Sequence, residues 1–189
     1  MQSLCRVIMI LLVIASSAKA LFGNNFRKFL RERYGPGVEA ALTREDMGPG
    51  GSFGGGNGHI AGRPTRKRPV ILVHGIMNIA STFSQNQHYF LRHGYTGDEI
   101  YGTTYGDGGR TNVLFVTMQC HYAKMAIKGG VCVDTNEQLG PPLSGLVYTF
   151  VGVAGANFGS FLCAFPFGSC NLNNGMGCGS AYLNDINSA

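Results

Sequence analysis

Four consecutive apolar residues, Val70-Ile71-Leu72-Val73, follow Pro69 and stop at His74-Gly75-Ile76. The run is mostly β-branched and no polar residue alternates within it. That predicts a strand buried on both faces, as in a parallel sheet. A parallel neighbour must be reached through a crossover, and the downstream sequence offers one. Thr82-Phe83-Ser84-Gln85 fits a capping box that opens a helix carrying Phe83, Tyr89, Phe90 and Leu91. Gly94 stands where a left-handed C-terminal cap belongs. Glu99–Tyr105 then reads as a second strand, with Gly106–Gly109 as the loop after it. Asn112–Lys128 fits either a strand at Val113-Leu114-Phe115-Val116 or a helix with Val113, Val116 and Cys120 on one face. Asn112 as a cap and Gly129-Gly130 as a stop favour the helix. Val147–Val153 is a further strand candidate, and the remainder to Ala189 reads as Gly-, Asn- and Cys-rich loop. Strands alternating with helices predict an α/β fold with a mainly parallel sheet.

The segments before this region have a different character. Arg6 is the only charge ahead of the apolar run Val7–Ala15, and Ala18-Lys19-Ala20 supplies a small-residue cleavage signal. Residues 1–20 therefore read as a secretory signal peptide, and the protein as secreted. No later apolar run is long enough to span a membrane. Residues 21–47 form an N-terminal helical segment: Phe22, Phe26, Phe29 and Leu30 share one face, and Gly35-Pro36-Gly37 ends the helix. Residues 48–68 are a Gly-rich and basic linker, unable to hold regular structure without a partner. Gly accounts for 29 of 189 residues, about twice its usual ~7%, but without a collagen period.

Composition narrows the partners. Loss of Arg6 and Lys19 with the leader lowers the formal charge from +5 to +3, too mild to suggest nucleic acid. The histidines are scattered and no C-x-x-C occurs, so neither a metal nor another cofactor is expected. Five cysteines remain: Cys120, Cys132, Cys163, Cys170 and Cys178. Cys163, Cys170 and Cys178 can close one bridge among themselves, and Cys120 with Cys132 another. One thiol is left over, which a secreted protein would normally pair.

The strongest chemical signal is the strand ending in His-Gly. A loop of this kind aims a backbone N–H at a reacting carbonyl as half of an oxyanion hole. Ile76 would donate that N–H, Gly75 would let the backbone turn, and His74 would orient the loop without acting as the base. Beyond this motif, five blocks occur in order: Pro69–Ile76, Tyr101–Asp107, Gly129–Thr135, Val151–Ser160 and Cys170–Gly175. On these blocks the chain resembles the secreted class 2 lipases, an α/β-hydrolase family, from about Gly50 to Ser188. The resemblance implies a carboxylic-ester hydrolase acting on acylglycerols through a Ser-Asp-His triad. Residues 69–189 would form its hydrolase domain, with a lipid ester as substrate.

The departures from the family pattern are as informative. The family nucleophile sits on a G-x-S-x-G elbow, expected between Phe115–Tyr122 and Gly129. Only Ala123–Lys128 lies there, whereas a crossover helix, strand and elbow need roughly 30 residues. Gly50-Gly51-Ser52-Phe53-Gly54 is a formal match, but it has neither the apolar strand before it nor the helix after it. Asp134 and Asp185 have no His after them, and His59, His88, His93 and His121 belong to no motif. The domain is thus expected to be an incomplete α/β-hydrolase whose sheet lacks the nucleophile-elbow strand. It would keep an oxyanion loop, lack the triad, and be poorly stable because flanking strands lose their common neighbour. A non-catalytic role, holding lipid or pairing with a full-length relative, is the alternative.

Overall fold

The computed structural model describes residues 21–112, 123–153, 158–165 and 168–188. The signal peptide expected over residues 1–20, together with Val113–Val116 and Cys120, lies outside these residues. The chain divides between Gly109 and Arg110 into two compact units.

In the first unit, helix α1 (Asn24–Tyr34) buries Leu30. Phe26 and Phe29 of the helix extend an aromatic row begun by Phe22 just before it, with ring centroids 5.0 Å apart for Phe22–Phe26 and 6.0 Å for Phe26–Phe29. Gly35 ends this helix as expected, but Pro36 starts another, α2 (Pro36–Thr43). Proline suits that first position because its missing N–H would be unpaired there anyway. The buried Glu39 carboxylate ties the two helices together, accepting from Arg27 Nε at 2.6 Å, Arg31 Nη2 at 3.2 Å and Thr43 Oγ1 at 3.2 Å.

The Gly-rich stretch contributes a strand, β1 (Ser52–Gly54), because a partner is present. It runs antiparallel to β3 (Ile100–Thr103), with Phe53 opposite Gly102. The side-chain-free Gly102 leaves room for the Phe53 ring. Strand β2 (Val70–Leu72) lies on the other side of β3, parallel to it, with Val70 opposite Ile100. The crossover between them contains α3 (Ser84–Arg92), preceded by a 3₁₀ turn over Ala80–Phe83. That turn places Thr82 inside the coil, so its side chain does not cap α3. The capping box falls instead at Thr96 and Glu99, at the start of the turn leading into β3.

The expectation of a mainly parallel sheet is therefore corrected. The sheet has order β1-β3-β2 and is mixed. Its core is one-sided: Phe53, Ala80 and Ile100 are buried, with Leu72, Phe83, Phe90 and Tyr95 packed against them. For the same reason β2 is not buried on both faces. It is an edge strand, and Ile71 points away from this core with 72% of its surface exposed.

In the second unit, helix α4 (Ala123–Lys128) leads into a hairpin of β4 (Gly130–Val131) and β5 (Gln138–Gly140), antiparallel and irregular at Gly130–Val131. Helix α5 (Ala181–Asn187) lies in sequence read as loop. Ser180 Oγ caps it by accepting from Leu183 N–H at 3.2 Å, a recognised N-terminal signal. Seven residues are too few for a helical period to stand out. Tyr182, Leu183 and Ile186 bury one face of α5 with Cys132, and Val133, Leu139 and Met176 pack around them. Lys128 Nζ reaches Asp185 Oδ1 at 3.0 Å. Cys163 pairs with Cys170, Cys132 is a buried thiol, and Cys178 is an exposed one.

Val147–Val153 is not a strand. A strand needs a neighbour to take up its ladder groups, and among the described residues none lies beside it. Tyr148, Phe150, Val151 and Val153 are exposed.

Candidate functional site

The loop after β2 carries the three residues singled out from sequence: His74, Gly75 and Ile76. His74 is buried, stacked on the Tyr105 ring with centroids 4.3 Å apart and planes 6° from parallel. Its two nitrogens are both engaged. Tyr105 N–H donates to Nε2 at 3.1 Å, and Nδ1 lies 2.7 Å from the Gly75 carbonyl. A backbone N–H can only donate and a carbonyl can only accept, so these partners assign the neutral tautomer with its proton on Nδ1. Burial pushes His74 below the ordinary imidazole range. The Gly75 hydrogen bond opposes that shift, and the Arg44 charge adds to it. An imidazole held neutral with both nitrogens occupied fixes a loop and has no free lone pair for a substrate proton.

The far end of the loop is fixed as firmly. Ala80 N–H donates to Thr104 Oγ1 at 2.8 Å, and that hydroxyl donates to the Gly50 carbonyl at 2.7 Å. Between these anchors, Gly75 C=O accepts from Asn78 N–H at 3.2 Å. Met77 sits at φ 66°, a left-handed conformation that side chains other than Gly and Asn seldom adopt. The Met77 carbonyl packs directly against Gly109. Among the described residues, nothing accepts from Ile76 N–H.

The loop is thus a turn anchored at the end of β3 by Thr104 and Tyr105. Sequence reasoning assigned neither residue a role, although both follow the β3 strand directly. Replacement of His74 by alanine removes both of its hydrogen bonds, including the acceptor for the part-buried Tyr105 N–H. The expected loss is about 3 kcal/mol of stability, from the lost hydrogen bonds and the cavity together. Urea unfolding measures it, and amide exchange at Tyr105 should accelerate with it.

Ser52 is placed where it cannot attack an ester. Its side chain is buried on β1. Oγ donates to the Thr43 carbonyl at 2.8 Å and accepts from Phe22 N–H at 3.2 Å. The glycines around it do not leave it loose, as sequence alone suggested. They let three backbone segments close over it.

The remaining sequence candidates are dispersed. His59 packs against the rings of Phe26 and Phe29, at centroid distances of 5.0 and 4.9 Å. His88 and His93 are exposed on or just after α3, and His121 lies outside the described residues. Asp134 Oδ2 accepts from Asn174 Nδ2 at 2.6 Å, and Asp185 is taken by Lys128. Among the described residues, no group of three or more His, Cys, Asp or Glu is placed to hold a metal ion, and no helix is long and apolar enough to cross a membrane.

The family model for Lipase (class 2) matches the chain in two segments, residues 67–126 and 122–189. No curated protein and no solved structure matches. The first segment contains β2, its His-Gly-Ile loop, the crossover helix and β3. The second contains α4, the hairpin, the disulfide and α5. The two segments overlap over 122–126, at the start of α4. Together they span well over half of the sequence, and the anchored loop after β2 falls within them: the chain belongs to the class 2 lipase family.

Proposed function

We propose that this chain is a secreted, non-hydrolytic member of its lipase family. In this reading Ile76 N–H is an oxyanion donor and Gly75 and His74 shape its loop, but no nucleophile faces it. The observation that carries the proposal is internal to the chain. The two family segments meet at α4, a helix of six residues. A strand, elbow and helix need roughly 30, so the place where the family holds its serine is too short for one. Ser52, the only formal G-x-S-x-G match, is buried and doubly hydrogen-bonded.

In a complete family hydrolase, the serine would attack the ester carbonyl, a histidine would take its proton, and the oxyanion donors would bind the developing negative charge. An oxyanion donor stabilises charge only after a nucleophile has added. This chain is therefore expected to leave esters intact.

Secreted protein, incubated with a fluorophosphonate probe and with p-nitrophenyl butyrate, should show no more labelling or turnover than its Ser52→Ala variant. Stoichiometric labelling, whether or not it depends on Ser52, would overturn the proposal. A binding role is favoured by a second observation. Among the described residues from Leu146 to Phe165 the second unit exposes Leu146, Tyr148, Phe150, Phe158, Phe161 and Phe165, more large apolar side chains than a stretch of surface loop normally carries.

A further inference from the structure

Glu99 is only 1% exposed, yet the groups that donate to it are neutral. Lys67 N–H lies 2.6 Å from Oε1 and Thr96 N–H 2.9 Å from Oε2. The Arg66 backbone and the Thr96 hydroxyl add to them. Among the described residues no cation is in ion-pair contact with Glu99. Glu39, the other buried carboxylate of this unit, has Arg27 and Arg31. A buried carboxylate without a counter-charge is costly to hold.

The nitrogen at 2.6 Å belongs to a stretch that a protease can read, Arg63-Pro64-Thr65-Arg66-Lys67-Arg68-Pro69. The stretch lies between β1 and β2, outside any strand or helix, and Arg63, Arg66 and Arg68 are exposed. Exposed loops of this kind are where chains are nicked. Proline closes off two of the basic bonds, Arg63–Pro64 and Arg68–Pro69, because it has no N–H and a fixed φ. Of the bonds left, Arg66–Lys67 follows an R-x-x-R pattern, Arg63 to Arg66, which occurs once in the sequence. Lifting Thr65–Arg68 off Glu99 opens no strand or helix.

We propose that Arg66–Lys67 is a processing site for a convertase-type serine protease that reads R-x-x-R, and that the new α-ammonium of Lys67 becomes the missing counter-ion of Glu99. Water supplies the atoms: its oxygen goes to the Arg66 carbonyl carbon, the C–N bond breaks, and the products are an Arg66 carboxylate and a Lys67 ammonium. The new carboxylate is repelled by Glu99 and leaves with the exposed loop. The ammonium stays, because its side chain is already held. Lys67 Nζ donates to the His93 carbonyl at 2.6 Å and sits 4.7 Å over the Tyr95 ring. A neutral hydrogen bond thus becomes a charge-assisted one, which is the stronger kind.

The cut leaves the first unit assembled. Its two parts stay joined by the β1–β3 ladder and by Arg44 Nη1 and Thr104 Oγ1. These donate to the Thr104 carbonyl at 2.7 Å and to the Gly50 carbonyl at 2.7 Å.

The test is limited digestion of the purified, folded chain with such a convertase. N-terminal sequencing should find Lys67 as the first new end, and both fragments should elute together in gel filtration. Arg63→Gln and Arg66→Gln, both at exposed positions, should each slow the cut at least about tenfold. In the cut protein, acetic anhydride at about pH 8, where a free α-amine is half deprotonated, should acetylate the Lys67 α-amine slowly. The expected rate is at least about tenfold below that of the same cut chain in urea. Glu99→Gln, which keeps the acceptor and loses the charge, should lose most of that protection.

A first cut elsewhere, or fragments that separate, would overturn the proposal. So would a Lys67 α-amine acetylated as fast in the folded as in the denatured cut chain, a comparison that needs no variant. Equal protection in a folded Glu99→Gln would assign it to burial alone and also overturn the counter-ion role. None of these readouts involves ester turnover.

Discussion

Gly54→Ala should abolish the cooperative unfolding transition of the first unit. Gly54 has φ +90°, and a Cβ added there would lie 1.7 Å from the Ile100 carbonyl oxygen and 2.7 Å from its carbon. Both are backbone atoms that cannot step aside. Gly54 C=O accepts from Gly23 N–H at 2.9 Å, and the next residue, Gly55, donates to that same Ile100 carbonyl at 3.1 Å. Relief of the clash means parting β1 from β3 and releasing the chain that leads into α1. The expected cost exceeds ~4 kcal/mol, in the range reserved for broken cores and strained backbones, out of ~5–15 kcal/mol for a whole domain. Gly62→Ala is the control. Gly62 also has positive φ, +77°, but nothing lies within 4 Å of its Cβ position, so only the conformational cost of about 1–2 kcal/mol applies. Thermal melts that place the two variants within a few degrees of each other would show that the close approach at Gly54 is not essential.

Glu99→Ala should be the next most damaging change. Its buried carboxylate accepts from Lys67 N–H at 2.6 Å and Thr96 N–H at 2.9 Å, so it closes the capping box and holds the approach to β2. Alanine would orphan both donors, at ~1–3 kcal/mol each. Glutamine keeps an acceptor and should lose roughly half as much, read from urea midpoints.

The same carboxylate makes the unit acid-sensitive. Burial alone would raise its pKa, but hydrogen bonds from Lys67, Thr96 and Arg66 hold it below the ordinary value. For Glu39 burial is likewise outweighed, by Arg27 and Arg31. A carboxylate with a lowered folded pKa stabilises fully above its unfolded pKa, near 4.3, and that contribution is lost as pH falls through the folded value. His74, also lowered in the fold, acts in the same direction at higher pH. Below about 6.5 the unfolded chain takes up a proton that buried His74 resists, so stability starts to decline there. Two steps in stability are expected on acidification, and the upper one should vanish in His74→Ala. A flat profile between pH 7 and 5 for the unsubstituted chain would contradict the neutral, buried assignment of His74.

Local signals were legible in the sequence wherever a few adjacent residues decide the outcome. The aromatic face of α1, the end of α3 near Gly94, the β2 and β3 strands and the His-Gly-Ile turn all depend on neighbours within one or two turns of chain. The Cys163–Cys170 bridge is one of the three pairings that their spacing allowed. Helix α2 and helix α5 were missed because each is a short element whose start looks like a break: Pro36 after Gly35, and Ser180 after Gly179.

Burial and strand pairing could not be read in the same way. An apolar run such as Val70–Val73 carries the same residues whether it is flanked by strands on two sides or on one. Its exposure depends on what arrives from far along the chain. The Gly-rich tract became β1 only because β3 offered an antiparallel edge and Gly102 a space for Phe53. Val147–Val153, with better strand composition, pairs with no strand among the described residues and is exposed at Tyr148, Phe150, Val151 and Val153. Sequence by itself determined the family, the His-Gly-Ile turn after β2 and the shortness of the interval between the two family segments, because these are matters of residue order and count. Only the tertiary structure decided that Ser52 is sealed, that His74 is neutral and spent on Gly75 and Tyr105, and that the sheet is mixed. Hydrogen-bond partners dozens of residues apart set each of those outcomes, and no local pattern encodes them.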